Sequence, residues 1–357
     1  MLTYGYDFME KGNVTLKTIA EKCGVSVMTV SRALNPRYSK WLRAETRDRI
    51  QEAAAKYQYT FNPIARRLKR QKVDAITLVM GPRVMTGPAV CPDFDAHHEC
   101  NSWNMVRGVI TEARRFSYDV KIESLLDRGL CDEVIAHIKP QLTDGVIFSN
   151  TSELEPIIQY IKTNGIPFII LEHNLDLMSV PGQPYVAINR APGFLTAFNH
   201  LWDKGHRQVA FFGNQKQKMS NYTRKVFETY FTEKEAFDQS LVFDIGGIYD
   251  LRDLLSNFSG HFPFTAIQCL NDTMADFTVR ELRYLGFRVP EDIAVIGIDG
   301  NPTYQKESTT CLSTVKLPWR ELAETGTRAL IDLIEDGENA LKNSRLLESE
   351  FIPGKTS

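Results

Sequence analysis

The side chains with the clearest chemistry are basic and hydroxyl groups concentrated between residues 14 and 72. This segment holds 14 Lys and Arg against 4 Asp and Glu, a net charge of +10, whereas residues 73–357 hold 27 basic and 38 acidic residues, a net of −11. Basic side chains neutralise phosphates, and hydroxyl groups donate to phosphate oxygens. A compact basic head on an acidic body is typical of a nucleic-acid-binding module joined to a domain with another task. The alternative is a solvated helical surface.

Three short helices are predicted to position these groups. Thr15 is placed to cap the first helix, Gly24 to end it, and Ser26 to cap the second. A helix, a glycine-containing turn and a second helix form a helix-turn-helix, which places its second helix in the major groove of DNA. A third helix is predicted over about residues 44–57. The apolar residues expected to face the core of the second and third helices are Val30, Ala33, Leu34, Ile50, Ala53, Ala54 and Tyr57.

From Asp74 onward the apolar pattern changes. Short β-rich runs alternate with amphipathic helical patterns, and these runs include AITLVM (75–80), VIFS (146–149), VAFFG (209–213) and IAVIGID (293–299). Continuous apolar runs of this kind predict parallel strands buried on both faces. Because the segment is too long for one sheet, we expect a doubly wound α/β architecture of two Rossmann-like lobes. A long loop is predicted over residues 81–104, before a helix around residues 104–116.

Composition excludes several other classes of protein. No run of about 18 apolar residues is present, so no membrane partner is predicted. The amino terminus lacks the basic and apolar regions of a secretory signal, and the six cysteines form no CxxC pair, which favours reduced thiols and a cytoplasmic location. The chain has no P-loop, GxSxG or HExxH motif. We therefore expect neither an enzyme nor a bound cofactor.

Two segments carry a family resemblance. VTLKTIAEKCGVSVMTVSRALN (14–35) and AETRDRIQEAAAKYQYTFNPIARRLKR (44–70) resemble the headpiece of the LacI/GalR family of bacterial transcription regulators. In the body, HLWDKGHRQVAFFG (200–213), CLNDTMADFTVRELRYLGFRVPEDIAVIGIDG (269–300) and CLSTVKLPWRELAETG (311–326) resemble the effector domain of that family. The implied fold is a small all-α helix-turn-helix headpiece plus an α/β periplasmic-binding-protein-like effector domain of two Rossmann-like lobes.

The resemblance also implies the domain organisation. After an extension (1–13) come the helix-turn-helix headpiece (14–61), a hinge helix and linker (62–72), and an effector-binding and dimerisation domain (73–357). The N-lobe would comprise residues 73–189 and 317–346, and the C-lobe residues 190–316 and 347–357. The chain would cross between the lobes near residues 188–192, 315–318 and 345–348. Three such crossings make a hinge that closes on a ligand.

DNA contacts follow from the same resemblance. Val27 and Met28 occupy the two variable positions that read base edges; apolar side chains can contact a thymine methyl, whereas Arg32 can hydrogen-bond guanine. Leu68 of the hinge helix would wedge between base pairs and kink the DNA, unless it is an ordinary apolar linker residue. The complete set of predicted DNA-binding residues is Thr15, Ser26, Val27, Met28, Thr29, Ser31, Arg32, Asn35, Asn62, Ala65 and Leu68.

Effector contacts are implied at Arg224, Asn271 and Asp299. A guanidinium suits sugar hydroxyls or a carboxylate, and the two other residues stand at strand ends, where open α/β sheets bind ligands. Trp103 could stack on a sugar face or simply pack. Asp272 is expected to cap the helix that follows it.

The chain departs from the family pattern at several positions. The loop between the second and third helices is longer than usual, and Arg43 stands in place of a Ser helix cap. Phe227 replaces a glycine near the predicted pocket, and Ile188, followed by Asn189, replaces the Asp of the first crossover. The long loop also carries possible zinc ligands, but their spacing matches no standard zinc finger and we predict no metal. These residues are Cys91, His97, His98 and Cys100.

These features predict a sequence-specific DNA-binding transcription regulator, and more narrowly a repressor. It would bind a double-stranded operator as a homodimer, under the control of a small carbohydrate-like effector. One alternative is a regulator of the same fold that responds to a nucleobase or another non-sugar ligand. Another is a solute-binding sensor with no DNA role, against which the basic head argues.

Overall fold

The computed structural model describes residues 14–34, 36–39, 41–59, 72–81, 92–124, 131–149, 155–172, 184–214, 218–258, 261–304, 310–337 and 345–357. The chain divides into two compact units, of which one contains the described residues up to Asp74 with Arg114–Tyr118. The other contains Ala75–Ala113 and Asp119–Ser357. None of the described helices has the length and apolar character needed to span a membrane.

The helices of the described residues are α1 (Leu16–Cys23), α2 (Val27–Ala33), α3 (Pro36–Ser39), α4 (Ala44–Lys56), α5 (Pro92–Arg115), α6 (Cys131–His137), α7 (Glu155–Thr163), α8 (Ala191–Asp203), α9 (Lys218–Glu233), α10 (Ile248–Asn257), α11 (Asp272–Tyr284) and α12 (Trp319–Asp336). The strands are β1 (Ala75–Met80), β2 (Asp119–Ser124), β3 (Gly145–Ser149), β4 (Phe168–Glu172), β5 (Tyr185–Asn189), β6 (Val209–Gly213), β7 (Val242–Asp244), β8 (Ala266–Cys269), β9 (Ala294–Asp299), β10 (Ser313–Lys316), β11 (Arg345–Glu348) and β12 (Glu350–Ile352).

Local chemistry sets the ends of the headpiece helices, as predicted. The Thr15 and Thr18 side chains each accept a hydrogen bond from the other residue's N–H, both at 3.3 Å, so they cap α1 reciprocally. Gly24 ends α1 in the left-handed region, with φ 61° and ψ 36°. The Ser26 hydroxyl accepts from the Thr29 N–H at 3.1 Å and caps α2. Arg43 precedes α4 without a side-chain cap bond.

One apolar cluster holds the three headpiece helices together. Ile19 of α1, Val30 of α2 and Ile50 of α4 are fully buried in it. Leu34, Ala53 and Tyr57, which were predicted to face the core, are partly buried and pack against the cluster. The loop between α2 and α4 was predicted without a helix, but it contains the single turn α3. Pro36 stands at the first position of that turn, where its missing N–H costs no hydrogen bond.

The body contains two six-stranded sheets. The first has the order β11-β5-β4-β3-β1-β2, and its neighbouring strands pair in parallel. The second has the order β12-β10-β9-β8-β6-β7, and only β12 pairs antiparallel, with β10. Strands β1, β3, β6 and β8 are buried at every residue, as expected for sheets covered by helices on both faces. The predicted pair of Rossmann-like lobes is confirmed.

Three connections join the sheets. The first leads from β5 of the first sheet into α8 and then β6 of the second. The second leads from β10 into α12, which packs against β3, β4 and β5. The third joins β11 to β12 at Ser349, because β11 pairs with β5 as far as Glu348 opposite Asn189. This crossing therefore falls slightly later than the predicted boundary between residues 346 and 347.

The segment after β1 differs from the prediction. A loop was expected over residues 81–104, but α5 begins at Pro92. Residues 92–103 lack a regular apolar stripe, so periodicity gave no sign of the helix. A proline followed closely by Asp93 and Asp95 is nevertheless a favourable helix start, because proline suits the first turn and carboxylates suit the positive end of the helix dipole.

Candidate functional site

The first candidate surface is the outer face of α2, here called the reading face and defined by Val27, Met28, Ser31 and Arg32. All four residues are exposed, and Met28 is 63% exposed. On the opposite face Val30 is fully buried against the headpiece core. Large apolar side chains held in water at a helix start are available for an external contact. The structure thus presents the residues predicted to read base edges on one accessible face.

Two predicted phosphate-contacting residues are also helix caps. Thr15 caps α1, and Ser26 caps α2 by accepting from the Thr29 N–H. The Ser26 and Thr29 hydroxyl oxygens lie 2.9 Å apart, so one of these hydroxyls donates to the other. The pair therefore keeps one hydroxyl hydrogen that can point outward, which is what donation to a phosphate oxygen requires. Helix capping and phosphate binding are therefore compatible at the start of α2.

Part of the predicted DNA-binding set lies outside the described residues. These residues are Asn35 and the hinge residues Asn62, Ala65 and Leu68. Their predicted roles remain predictions.

An aromatic pair in the loop before α4 was not singled out from the sequence. The Tyr38 and Trp41 rings meet edge to face, with centroids 5.5 Å apart. The Trp41 N–H donates to the Tyr38 carbonyl at 3.1 Å, which fixes the turn that carries them. Trp41 is 72% exposed although it is a large aromatic residue. A large aromatic ring exposed on a module of charge +10 is a sign of a contact surface. The sequence does not show which side chains are exposed, so the pair could not be identified from it.

The second candidate surface lies at the carboxyl ends of the parallel strands of the C-lobe. We call it the ligand edge and define it by Asn214 after β6, Asn271 after β8 and Asp299 at the end of β9. Neighbouring parallel strands end at the same edge of a sheet, so these residues come together. The crossovers leave from the carboxyl ends of β5, β10 and β11. The ligand edge therefore adjoins the junction between the lobes.

The roles of Asn271 and Asp272 differ from the prediction. Asp272 was expected to cap α11, but the cap is Asn271, whose side-chain oxygen accepts from the Met274 N–H at 2.8 Å. Asp272 is the first helical residue and is fully buried, so its carboxylate points inward instead. The two residues are adjacent, and one position along the helix start decides which side chain reaches the free N–H groups. The side-chain oxygen of Asn271 is therefore already engaged as a helix cap.

Asp299 combines an accessible position with unusual backbone geometry. It is partly exposed, and its φ of 112° lies in the region that L-residues rarely adopt. Its carbonyl accepts from the Leu317 N–H at 3.3 Å, which connects it to the second crossover. The charge of Asp299 also helps to raise the pKa of Asp272, although burial is the larger cause. Its placement suits the predicted effector contact.

Arg224 is engaged within its own lobe. Its Nε lies 2.6 Å from a Glu228 carboxylate oxygen, and a terminal nitrogen donates to the Gln239 side-chain oxygen at 3.3 Å. Phe227, which replaces the expected glycine, is buried, and its ring lies 4.6 Å from that of Phe231. This residue fills the core of the C-lobe and does not line a ligand pocket. These two contacts use two of the five guanidinium N–H donors and fix the side chain within the C-lobe.

Trp103 lies on the outer face of α5. It is 64% exposed, so it does not pack into the core. The opposite face carries Gly108, where an added Cβ would come within 2.7 Å of the Ala323 side chain of α12. The 24-residue α5 is about 36 Å long, whereas the six residues of β1 extend about 20 Å. The helix α5 is therefore longer than the strand that it follows.

The hinge contains buried residues that the sequence did not single out. Arg190 follows β5, and its guanidinium carbon lies 5.5 Å from the centre of the Trp319 ring of the second crossover. The Ser349 hydroxyl of the third crossover donates to the Arg190 carbonyl at 2.7 Å and accepts from the Gly193 N–H at 3.0 Å. Each crossover thus contributes to one contact set. No local pattern reveals contacts between residues so far apart in the chain.

At the first crossover Ile188 stands where the family has an Asp, so the usual polar contact was predicted to be weakened or missing. Ile188 is fully buried inside β5. Asn189 is the last residue of that strand and is partly exposed. Successive strand residues point to opposite sides, so a difference of one position exchanges a core side chain for an accessible one. The polar side chain at this strand end is therefore that of Asn189.

The fold and these two surfaces define a DNA-binding helix-turn-helix joined to a two-lobed binding domain. Residues 15–62 match the family model described as bacterial regulatory proteins, lacI family, and residues 198–357 match a periplasmic binding protein-like domain. These matches assign a lacI-family DNA-binding segment and a periplasmic-binding-protein-like domain to the chain, the two parts that the sequence resemblance predicted.

Similar proteins agree with this assignment. The Probable HTH-type transcriptional repressor ExuR of Bacillus subtilis (strain 168) is 28% identical over 347 residues, which cover 95% of this chain and 97% of the relative. The HTH-type transcriptional repressor CytR of Escherichia coli (strain K12) is 25% identical over 359 residues, covering 95% of this chain and 94% of the relative. These relatives are transcription repressors by name.

Solved structures share the fold. A transcriptional regulator CelR–cellobiose complex has a TM-score of 0.64 at 21% identity, covering 96% of this chain and 100% of that one. The lac repressor dimer bound to operator and the anti-inducer ONPF has a TM-score of 0.64 at 21% identity, covering 97% and 99%. At this identity the likeness establishes the fold alone.

Proposed function

We propose that this chain is a repressor that binds a pseudo-palindromic operator as a homodimer and whose operator affinity is controlled by a carbohydrate-like effector. The observation that carries the DNA part is the reading face, because exposed Val27 and Met28 stand at the start of a capped helix in a module of charge +10. The names of the relatives ExuR and CytR support a repressor. The apolar reading residues favour thymine methyl contacts, and Arg32 supplies a guanine contact.

The effector part depends on the ligand edge. Asp299 offers a carboxylate at a strand end beside the hinge, and Asn271 offers an amide. Carboxylates and amides bind the hydroxyl groups of a polyol, and exposed Trp103 is available to stack on an apolar sugar face. The fold neighbour CelR is titled as a complex with cellobiose, which supports this ligand class. Closure of the lobes about the Arg190–Trp319–Ser349 contacts would transmit binding.

The homodimer part has its own support. Tyr249 of α10 and Tyr284 of α11 are exposed, and Tyr284 is 85% exposed. Between these helices Arg252 forms a bidentate pair with Glu281, at 2.6 and 3.1 Å. Exposed tyrosine and arginine side chains are typical of association sites. A second copy of this chain is the proposed occupant, since a two-fold operator requires a two-fold protein.

One experiment tests the proposal as a whole. An operator would be selected from random duplexes with the full-length protein, and its affinity measured by fluorescence anisotropy between 50 and 200 mM salt, the range over which phosphate-contacting proteins lose about 10³-fold or more. A thermal-shift panel of cellobiose, D-glucose, D-ribose, D-glucuronate, adenosine and guanine would identify the effector class.

The expected outcome is one selected palindrome, a steep loss of affinity with salt, and a thermal shift with a sugar. Asp299→Ala should abolish both that shift and the operator response while leaving effector-free DNA binding intact. Tyr249→Arg combined with Tyr284→Arg should convert the dimer to a monomer in sedimentation velocity. A thermal shift with guanine or adenosine alone would show that the effector class is a nucleobase and not a carbohydrate. Salt-insensitive or absent DNA binding would overturn the proposal that the chain is a DNA-binding regulator.

A further inference from the structure

A buried acid stands directly behind the ligand edge. Asp272 is fully buried at the start of α11, and one carboxylate oxygen accepts from the Asn301 N–H at 2.7 Å. Its other oxygen accepts from the Thr314 hydroxyl at 2.5 Å. An added Cβ at Gly297 would come within 2.3 Å of that oxygen, so the glycine provides the space for the carboxylate. These contacts connect the start of α11 to β9 and β10.

Thr314 extends the network by one step. Its hydroxyl oxygen accepts from the Gly300 N–H at 3.2 Å while its hydrogen goes to Asp272. Thr314 is fully buried and lies opposite Gly297 in the β9–β10 pairing. The N–H groups of Gly300 and Asn301 are therefore both fixed, one through Thr314 and one directly by Asp272. These are the two residues that follow Asp299 in the chain.

The backbone at Asp299 needs such restraint. Asp299 has a φ of 112° and Gly300 a φ of 68°, so two successive residues lie at positive φ. Non-glycine residues persist in such conformations only when their surroundings enforce them, and this occurs mainly at functional positions. The Lys316 side chain also crowds Gly300, where an added Cβ would come within 2.6 Å of it. The turn is thus defined from both sides.

The chemistry of Asp272 also argues against a purely local role. Burying a carboxyl group is costly, and burial together with the charge of Asp299 raises the pKa of Asp272. The N-cap of α11 is supplied by Asn271, so Asp272 is not needed for that purpose. Its buried carboxyl group instead holds the segment that follows Asp299.

We propose that Asp272 and Thr314 are positioning residues that hold Asp299 in its left-handed conformation at the ligand edge and thereby set the affinity for the effector. This inference rests on the proposed function, since it takes Asp299 as an effector contact. In this network Thr314 acts through its hydroxyl group, which donates to Asp272 and accepts from the Gly300 N–H. Serine can replace it in this role, whereas valine, of nearly the same shape, cannot.

Crystal structures of Thr314→Val, Thr314→Ser, Asp272→Asn and the unaltered protein test the geometry without any ligand. We expect φ of Asp299 to leave the positive region in Thr314→Val and Asp272→Asn and to stay near its original value in Thr314→Ser. Asparagine is informative because it has one acceptor oxygen in place of two, so its side chain cannot accept from both the Asn301 N–H and the Thr314 hydroxyl at the two carboxylate positions. If φ of Asp299 is unchanged in both Thr314→Val and Asp272→Asn, the inference is overturned, whatever binds at the edge.

Binding measurements test the functional half. Calorimetric titration of the panel compounds, with cellobiose as the first probe, should show about tenfold weaker binding to Thr314→Val and normal binding to Thr314→Ser. Operator affinity without effector should be equal in all variants. In an Asp299→Asn background, Thr314→Val should cause no further loss, because a residue that acts through Asp299 has nothing left to position.

These outcomes distinguish a failure of the positioning role from a failure of the proposed effector site. Additive losses from Thr314→Val and Asp299→Asn would overturn the positioning role, since Thr314 would then act independently of Asp299. If Asp299→Asn leaves the binding of every panel compound unchanged, the proposed effector site fails. The φ measurement still decides whether Asp272 and Thr314 hold the turn.

Discussion

The guanidinium carbon of Arg190 lies 5.5 Å from the centre of the Trp319 ring, and this contact joins the first and second crossovers between the lobes. Both residues are buried. A cation held over an indole ring is attracted by the electron density of its face, and more strongly when water is excluded. Ser349 adds the third crossover through its hydrogen bond to the Arg190 carbonyl. We therefore expect the lobes to rotate about this point as rigid bodies, with little change inside either sheet.

Replacing Trp319 by leucine should destabilise the body. The change removes a buried ring and the cation–π contact, and we expect the free energy of unfolding to fall by about 2–4 kcal/mol in urea titrations followed by circular dichroism. Trp103→Leu is the matched control, because Trp103 is mostly exposed and such changes alter stability by about 0.5 kcal/mol or less. Equal losses in the two variants would contradict the assignment of Trp319 to the hinge.

Arg32 should contribute to sequence discrimination. Arg32→Ala is expected to weaken binding to the selected operator by about 1–3 kcal/mol and to relax the preference at one base position. Anisotropy titrations on the operator and on random duplex give both quantities. Arg283→Ala, on the exposed surface of α11, serves as the control and should change neither. Equal weakening on random DNA would show that Arg32 contacts phosphate and reads no base.

Trp41 should report DNA binding. Its exposed ring stands on the basic module, so operator binding should change its fluorescence, and the change should be absent in Trp41→Phe. Phenylalanine preserves the aromatic pair with Tyr38 and removes the indole N–H, which is the group able to donate to a phosphate. Trp103→Phe should retain the change. A full response in Trp41→Phe would place this loop away from the DNA.

Acid should weaken the C-lobe. Burial lowers the pKa of His200 and of His206 below the ordinary value of 6.5, with a further contribution from Lys204 in both cases. A histidine whose pKa is lower in the folded state favours folding while neutral. The stability it contributes is present above about pH 6.5 and is lost as the pH falls through the folded-state pKa.

This pH effect can be measured as Tm between pH 7.5 and pH 5.5. We expect Tm of the unaltered protein to fall over this window and the fall to be smaller in His206→Asn. In that variant the asparagine can still bond the Thr265 hydroxyl, which lies 2.8 Å from His206 Nδ1. His261→Asn, at an exposed position, is the control and should behave like the unaltered protein. An identical fall in His206→Asn would assign the acid sensitivity to other groups.

Much of the architecture could be predicted because its signals are local. Thr15, Gly24 and Ser26 mark helix ends through contacts within four residues, and the buried strands are continuous apolar runs. The start of α5 was missed because its first residues have no apolar stripe. Its first turn is favourable for a helix, although periodicity gave no sign of one.

The candidate sites were harder to predict because their contacts are long-range. Asn271 and Asp272 are adjacent in sequence, yet one caps a helix and the other bonds Thr314, which follows 42 positions later. Arg190 and Trp319 lie still farther apart, and no sequence pattern indicates that they meet. Only the folded backbone determines which side chains meet at such positions, so sequence patterns located the ligand edge without its supporting residues.

The interleaved body has a consequence for biosynthesis. The first sheet needs β11 and the cover of α12, and the second needs β12, all of which derive from residues 319–352. Near the end of the chain, Thr356 bonds Val295 and Ser313 and so adds to the second sheet. The headpiece, by contrast, draws its α1–α4 core from one early stretch. As the chain leaves the ribosome, the headpiece can therefore fold long before either lobe is complete, and a prematurely terminated product would contain a folded headpiece without the body.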